Sequence, residues 1–353
     1  MKAKVYFSEQ ITPEKVVELY KAVGLELPGK VAVKVHSGEP GNQNFLTPEF
    51  WQPMVETVHG TIVECNTAYP GERNTTNAHR RTMIKHGWSK LFDVDILDAE
   101  GPDLELPIPN GKRIQKNLVG KDIKNYDSML VLSHFKGHPM GGFGGALKNL
   151  GMGCASVAGK MELHASSQPK IDREHCRGCN ICVTHCRHQA IHLDGERKAV
   201  IDYSKCVGCG QCVALCQFEG AVLGEWDTSE NLNYKIAEYT EAVLKDKPNF
   251  HVSFIMNVSP ECDCWNHNDA AIIPDLGMLA SFDPVALDEA CADLVNQAAI
   301  LETNNRLSEK PHEGHLENCD KFHLMHPDTN WQAGLEHAEK RGIGTRAYEL
   351  ITV

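Results

Sequence analysis

Three things are missing from this sequence. It has no excess of positive charge: 47 acidic residues stand against 35 basic ones, a formal net charge of −12. That excludes a general binder of nucleic acid or of anionic membranes, because both depend on a basic face. No apolar run approaches the roughly 18 residues that a membrane span requires. The opening residues, Met1-Lys2-Ala3-Lys4-Val5-Tyr6-Phe7-Ser8-Glu9, hold no apolar signal core, so the expected location is cytoplasmic. What remains is a composition close to that of an ordinary soluble globular chain, 42% hydrophobic and 23% charged. The 353 residues can bury a sizeable core and suit about two domains.

Cysteine, by contrast, is abundant: there are fourteen, alongside eighteen histidines. Disulfides are rare in a cytosolic chain, so metal ligation or redox chemistry is the expected use.

Along the chain, helix and strand signals alternate. Strands are predicted near 4–7, 31–36, 61–65, 94–97 and 128–133, and again near 250–258 and 277–280. Thr12-Pro13-Glu14 and Thr47-Pro48-Glu49 each combine an N-cap, a proline at the first helical position and an acid in the first turn. Asp283-Pro284 repeats the cap and proline ahead of a helix over 283–298. Further helices are predicted over 231–245 and 330–342. This alternation predicts an α/β domain with a largely parallel sheet. The pattern breaks between about 170 and 225, where the chain is short-looped and dense in cysteine. The predicted architecture is an α/β domain made of residues 1–169 and 226–353, with a small α+β ferredoxin-like domain, residues 170–225, inserted in it.

The insert is an internal repeat with an offset of 30 residues. Asp172, Cys176, Gly178, Cys179, Cys182 and Cys186 align with Asp202, Cys206, Gly208, Cys209, Cys212 and Cys216. Each half is a C-x2-C-x2-C-x3-C run. Three closely spaced thiolates wrap one cubane, and the fourth reaches the other cluster. Cys176, Cys179, Cys182 and Cys216 are therefore assigned to one [4Fe–4S] cluster, and Cys206, Cys209, Cys212 and Cys186 to a second. Two zinc sites are the alternative, although zinc ribbons usually use separated pairs. The segment resembles bacterial two-cluster ferredoxins along its whole length. It departs from them after the fourth cysteine of each run, where Arg187 and Gln217 replace the usual proline. The resemblance implies electron transfer and names no substrate.

A second concentration of chemistry follows the strand predicted at 128–133. Lys136-Gly137-His138 leads into Gly141-Gly142-Phe143-Gly144-Gly145 and then Leu147-Lys148-Asn149. A glycine-rich loop before a helix start is a natural anion site, because free N–H groups and the helix dipole face the ligand. Neither a P-loop nor G-x-G-x-x-G is present. Lys136, His138, Lys148 and Asn149 are the candidate catalytic and ligand-binding residues, with His138 able to move a proton near neutral pH. The plain alternative is a flexible loop with solvated lysines.

Lys136-x-His138, Leu147-Lys148-Asn149, Pro274-Asp275-Leu276-Gly277 and Ser281-Phe282-Asp283-Pro284-Val285-Ala286-Leu287-Asp288 together resemble the DUF362 family, over nearly the whole chain. That family's activity is undefined, and its members often carry ferredoxin modules. A fainter pattern, His79-Arg80 followed by His138-x9-Lys148-x15-His164, is similar to that of nickel-pincer lactate racemases. The similarity implies Lys148 as the tether of an organonickel cofactor, His164 as a nickel ligand, and His79 and His138 as proton carriers.

Six cysteines lie outside the runs: Cys65, Cys154, Cys262, Cys264, Cys291 and Cys319. Cys262-Asp263-Cys264 is the one close pair, and an extended C-x-C places both sulfurs on one side. With His164 they are candidates for a further metal site or a redox pair, in a pocket shared with Lys148. Buried structural thiols are the alternative.

Three functions follow as expectations. One is an iron–sulfur oxidoreductase whose two [4Fe–4S] clusters exchange electrons with a small acidic substrate, or a further metal or organic cofactor, in the α/β domain. Another is a ferredoxin-type carrier whose large domain docks a redox partner protein. The last is an isomerase or binding protein with structural clusters. A segment the size of 170–225 can carry electrons alone, so the rest of the chain needs a role of its own, and the lysine–histidine pocket supplies one.

Overall fold

The computed structural model describes residues 2–353, except 25, 69–70, 102, 115, 165–168, 187–188, 204, 207–210, 219, 224–226, 303–306 and 309–317. Its centre is an eight-stranded sheet in the order Tyr348–Thr352, Ala3–Ser8, Gly277–Ser281, Asn249–Ile255, Ser128–His134, Val31–Lys34, Thr61–Glu64, Val94–Ile96. Gly277–Ser281 is antiparallel to both of its neighbours, and every other adjacent pair is parallel. The expectation of a largely parallel α/β sheet is met. Its helices cover both faces, as a parallel sheet requires.

Alternation along the two central strands divides the core. Leu130 and Leu132 point to one face with Phe250, Val252 and Phe254, where Trp51 and Met54 of the helix Pro48–Thr57 cover them. Trp51 meets Phe254 edge-on at 4.6 Å. Met129 and Val131 point to the other face and pack under Ser229–Leu244, Pro284–Gln297 and Trp331–Lys340. This is the period-two pattern of a strand buried on both faces.

The helix-start signals act as local chemistry dictates. Thr12 accepts from Lys15 N–H at 3.2 Å, and Asp283 accepts from Val285 and Ala286 N–H at 2.9 Å each. Thr47 makes no such side-chain bond. The C-terminal strand Tyr348–Thr352 was not anticipated. It is short and half-exposed, and it is held by pairing with Ala3–Ser8 at the other end of the chain.

The glycine run folds differently from the expected loop. Gly142–Gly144 is a short strand paired antiparallel with Lys136–His138. The helix Ala146–Gly151 follows at once.

The cysteine-dense segment closes on itself. Lys170–Ile171 pairs with Val222–Leu223, and Ile191–Leu193 pairs with Ala199–Ile201. The main chain leaves at His164 and returns at Asp227, whose N–H donates to the His164 carbonyl at 2.8 Å. Among the described residues, no helix is long and apolar enough to cross a membrane.

Candidate functional site

The carboxyl ends of four adjacent parallel strands open into one cleft of about 880 Å³, measured out to the solvent at its mouth. Lys34 ends the first of these strands and His36 follows it, Glu64 ends the second, Ser133 and His134 end the third, and Cys262 and Cys264 follow the fourth. Open α/β sheets place ligands at such strand ends. The hairpin and the helix after it close one wall with Lys136, His138, Gly144, Lys148 and Asn149, and Lys160 and His164 come from the helix Val157–His164. All four candidates of the glycine–lysine segment thus line one cleft, together with His164, Cys262 and Cys264.

The four lysines are not equivalent. Lys34 donates to the Val35 carbonyl at 2.5 Å and to Asn149 Oδ1 at 3.0 Å. Lys160 donates to the Ala155 carbonyl at 2.5 Å, and Lys136 pairs with Asp263 Oδ2 at 3.0 Å. Lys148 has no hydrogen bond or ion pair among the described residues. Burial, and then the charge of Lys136, push its ammonium down to about 7. Lys148 is therefore the cleft cation left for a ligand, and near neutrality it can hold or release a proton.

Asn149 lines the cleft with its amide already engaged. Its amide donates to the Leu132 carbonyl and Ser133 Oγ at 3.0 Å each, and its oxygen accepts from Lys34. Both donor protons are engaged, so it positions the strand ends and Lys34.

The helix start also differs from the expected anion site. Asp288, from the helix Pro284–Gln297, accepts from Ala146 N–H at 2.7 Å and Leu147 N–H at 2.9 Å. An internal carboxylate takes the place proposed for an external anion, and burial raises it to about 7. Positive charge reaches the cleft through side chains instead.

Two of the cleft histidines, His138 and His164, carry opposite tautomers. His138 Nδ1 accepts from Gly141 N–H at 2.9 Å and Met140 N–H at 3.3 Å, which places the imidazole proton on Nε2. His164 Nδ1 lies 2.6 Å from the Lys160 carbonyl and must donate to it, which places its lone pair on Nε2. Burial, reinforced by Lys148, holds both below the ordinary histidine range, His138 well below. Both rings are neutral near pH 7.

Asp263 anchors the far wall. His134 Nδ1 lies 2.8 Å from its Oδ2, and His134 Nε2 lies 2.7 Å from the Met256 carbonyl. Burial alone would raise this carboxyl, but His134 and Lys136 hold it well below the usual range. Its other oxygen, Oδ1, is buried with no hydrogen-bond partner among the described residues. A second buried set reaches the cleft wall, where Arg73 bridges Glu39 at 2.9 Å and Glu64 at 3.3 Å. His79 does not line the cleft. Its ring contacts Glu64 Oε2 at 3.1 Å and Asn66 Oδ1 at 3.3 Å, so it orients Glu64 rather than carrying a proton to a ligand.

Cys262 and Cys264 are joined as a disulfide. With His138 they also form a set of three metal-ligating groups whose donor atoms lie within 4.8 Å of one another. In this arrangement the two sulfurs are paired with each other, and the His138 Nδ1 lone pair accepts backbone N–H groups. Cys154 and Cys291 are buried thiols, and Cys65, also buried, borders the cleft while its Sγ donates to the Cys154 carbonyl at 3.3 Å.

In the insert, Cys176, Cys179, Cys182 and Cys216 line one cavity of about 360 Å³. Three come from the first run and one from the end of the second. Gly178 has φ +64°, and a Cβ there would lie 2.1 Å from the Arg197 carbonyl oxygen, so the tight turn requires glycine. Backbone N–H groups of Ala199 and Ala190 donate to the sulfurs of Cys176 and Cys186 at 3.4 and 3.3 Å. Ile191, Ala199 and Ile201 supply an apolar packing around these cysteines. Soft sulfur donors, a backbone N–H aimed at the Cys176 sulfur and an apolar surround fit an iron–sulfur cluster at the first set. Of the second set, Cys206, Cys212 and Cys186 are described, while Cys209, like Gly208 and Arg187, lies outside the described residues.

Sequence reasoning missed Lys34, His36, Glu64, Arg73, His134, Lys160 and Asp263. The available signal was position: several of them end or directly follow a predicted strand of a parallel sheet.

Two solved structures are similar to this chain. One is the lactate racemase apoprotein from Thermoanaerobacterium thermosaccharolyticum, with 10% identity, a TM-score of 0.41 and coverage of 85% of this chain and 58% of that one. The other is a protein from Thermotoga maritima, with 11% identity, a TM-score of 0.42 and coverage of 83% and 61%. The chain thus spans about three fifths of the length of either. No curated protein matches it significantly. The family model described as a domain of unknown function, DUF362, matches residues 31–293. That match takes in the four strand ends, His138, His164, Lys148 and the whole cysteine insert, and on it the chain belongs to the DUF362 family.

Proposed function

We propose that the protein is an iron–sulfur oxidoreductase that exchanges electrons with a small acidic ligand held at Lys148. The observation that carries this reading is the convergence of Cys216, from the second run, on the cavity lined by Cys176, Cys179 and Cys182. Clusters bound there and at the second set would supply one-electron chemistry. The residues of the chain do the rest. Lys148, unpaired and half-buried, neutralises the ligand's charge. Lys136 is held in place by Asp263, and Lys34 by Asn149, so the positive field is fixed before the ligand arrives. His138 donates a hydrogen bond from Nε2 to a ligand oxygen, as a neutral imidazole can, and the neutral His164 ring lines the cleft with it. Electrons enter or leave through a redox partner protein at the insert.

A second reading rests on the histidine pair. Two neutral imidazoles of opposite tautomer on one cleft, with Lys148 between them in sequence, also suit an isomerase related to nickel-pincer racemases, in which the clusters are structural. In that reading His138 and Lys148 keep their cleft positions, His164 takes the ligating role, and His79 plays no direct part.

Elemental analysis and intact mass spectrometry of anaerobically purified protein separate the two. About eight irons and eight sulfides per chain, without nickel, support the first reading. Nickel, or a mass adduct on Lys148, supports the second. Zinc without sulfide after anaerobic reconstitution overturns the clusters in both.

A further inference from the structure

The Cys262–Cys264 disulfide closes a loop with one residue inside it. The chain entropy that a cross-link removes from the unfolded state grows with loop length, so this bond is poorly placed as a staple. Its position is more informative. Both sulfurs line the cationic cleft, and a ring nitrogen of His138 lies within 4.8 Å of them. The segment between them is pinned: the Asp263 side chain is held by His134 and Lys136, and its carbonyl accepts from Glu39 N–H at 3.2 Å.

The two sulfurs differ in a way that sets a direction. Cys262 is buried, and its Sγ accepts the Cys264 backbone N–H at 3.3 Å. Cys264 is half-buried and nearer to solvent. A nucleophile entering the cleft reaches Cys264 first. The sulfur it expels is Cys262, where a backbone N–H and the nearby lysines stabilise a thiolate.

We propose that Cys262 and Cys264 form a thiol–disulfide exchange couple whose substrate is a small anionic thiol seated in the cleft. The substrate class rests on the reading of the cleft as an anion site. In the first step the substrate thiolate attacks Cys264 Sγ. The Cys262–Cys264 bond breaks, a substrate–Cys264 disulfide forms, and Cys262 leaves as a thiolate. A second substrate thiolate then attacks the sulfur of the substrate bound to Cys264, releasing the substrate disulfide and leaving Cys264 as a thiolate. The two protons lost by the substrate thiols are taken up by the two cysteines. Two substrate thiols are oxidised by two electrons, and the protein disulfide is reduced by the same two. In reverse, the dithiol reduces a small anionic disulfide.

The test uses the full-length protein with its clusters in place, under anaerobic conditions. Mercaptopropionate and mercaptoethanol are compared at equal thiolate concentration, and alkylation with peptide mass spectrometry reads Cys262 and Cys264. The anionic thiol should open the pair about 10-fold faster or more, and Lys148→Gln should remove that advantage. In Cys262→Ser, the disulfide of mercaptopropionate should leave a stable mixed disulfide on Cys264. In Cys264→Ser, Cys262 should stay unmodified. Equal rates for the two thiols in the parent protein would overturn the substrate class and the anion reading beneath it. A pair that neither thiol opens in the folded protein, or mixed disulfide on Cys262 rather than Cys264, would overturn the couple itself. The kinetics of the parent protein keep the test decisive if a serine variant does not fold.

Discussion

His138 and His164 face one cleft as opposite tautomers, because the first accepts the Gly141 N–H at Nδ1 while the second donates from Nδ1 to the Lys160 carbonyl. Backbone groups that cannot change role impose both states. The cleft therefore offers a hydrogen-bond donor at His138 Nε2 without needing a charged imidazole.

Lys148 should control anion binding and give it a pH dependence. Its ammonium titrates at about 7, so its charge is present below that pH and lost above it. Calorimetric titration with malonate should show affinity falling by up to about tenfold per pH unit above 7. Lys148→Gln should bind weakly and without that slope, while the visible spectrum of the clusters is unchanged. An unaltered affinity in the variant would move the anion site elsewhere.

Cys216→Ser should remove one cluster. The chain would then keep about four irons, and the electron paramagnetic resonance spectrum of the reduced protein should lose the coupling between two centres. Retention of all the iron would show that the ligand sets are not shared between the runs.

Asp288→Ala should destabilise the helix that carries Lys148. Two backbone N–H groups lose their acceptor, at a cost of about 2–4 kcal/mol in urea unfolding. Asp288→Asn, which keeps one acceptor oxygen, should cost less. Equal midpoints for parent and alanine variant would mean that the helix start finds another partner.

His251 should make the main fold sensitive to mild acid. Burial pushes its imidazole down to about 3, against about 6.5 in an unfolded chain. Below pH 6.5 the unfolded state takes up a proton that the native state refuses. The stability it contributes is complete above 6.5 and declines as pH falls towards 3, by about 1.4 kcal/mol per pH unit. Asp288 and Glu162, both raised to about 7, act in the opposite sense. The measurement is therefore the difference between parent and His251→Gln, followed by tryptophan fluorescence, which should narrow between pH 6.5 and 5.

Excising residues 170–225 and joining the ends with a short linker should leave a soluble α/β domain. The His164 carbonyl and the Asp227 N–H already meet at the junction, so the linker has little distance to span. Insolubility of this variant would show that the insert is part of the main core.

What the sequence determined by itself is local or periodic. Thr12 and Asp283 cap helices because each acceptor lies within three residues of its donor. The 30-residue repeat marks the insert, and the cysteine spacing already pairs Cys216 with Cys176, Cys179 and Cys182. The strands could be read from apolar, β-branched runs, and the strand ends pointed to Lys136, His138, Lys148, Cys262 and Cys264. What the tertiary structure alone decided is which groups meet across long separations. Asp288 reaches Ala146 over 142 residues and closes the helix start where the glycine-rich sequence predicts an anion site. Lys34 reaches Asn149 over 115 residues and engages an amide expected to bind ligand. Asp263 ties His134 and Lys136 to the segment that holds the disulfide. A local signal depends only on residues a few positions away, whereas these contacts follow from the order of strands in the sheet. That order is set by burying both faces of the whole chain at once.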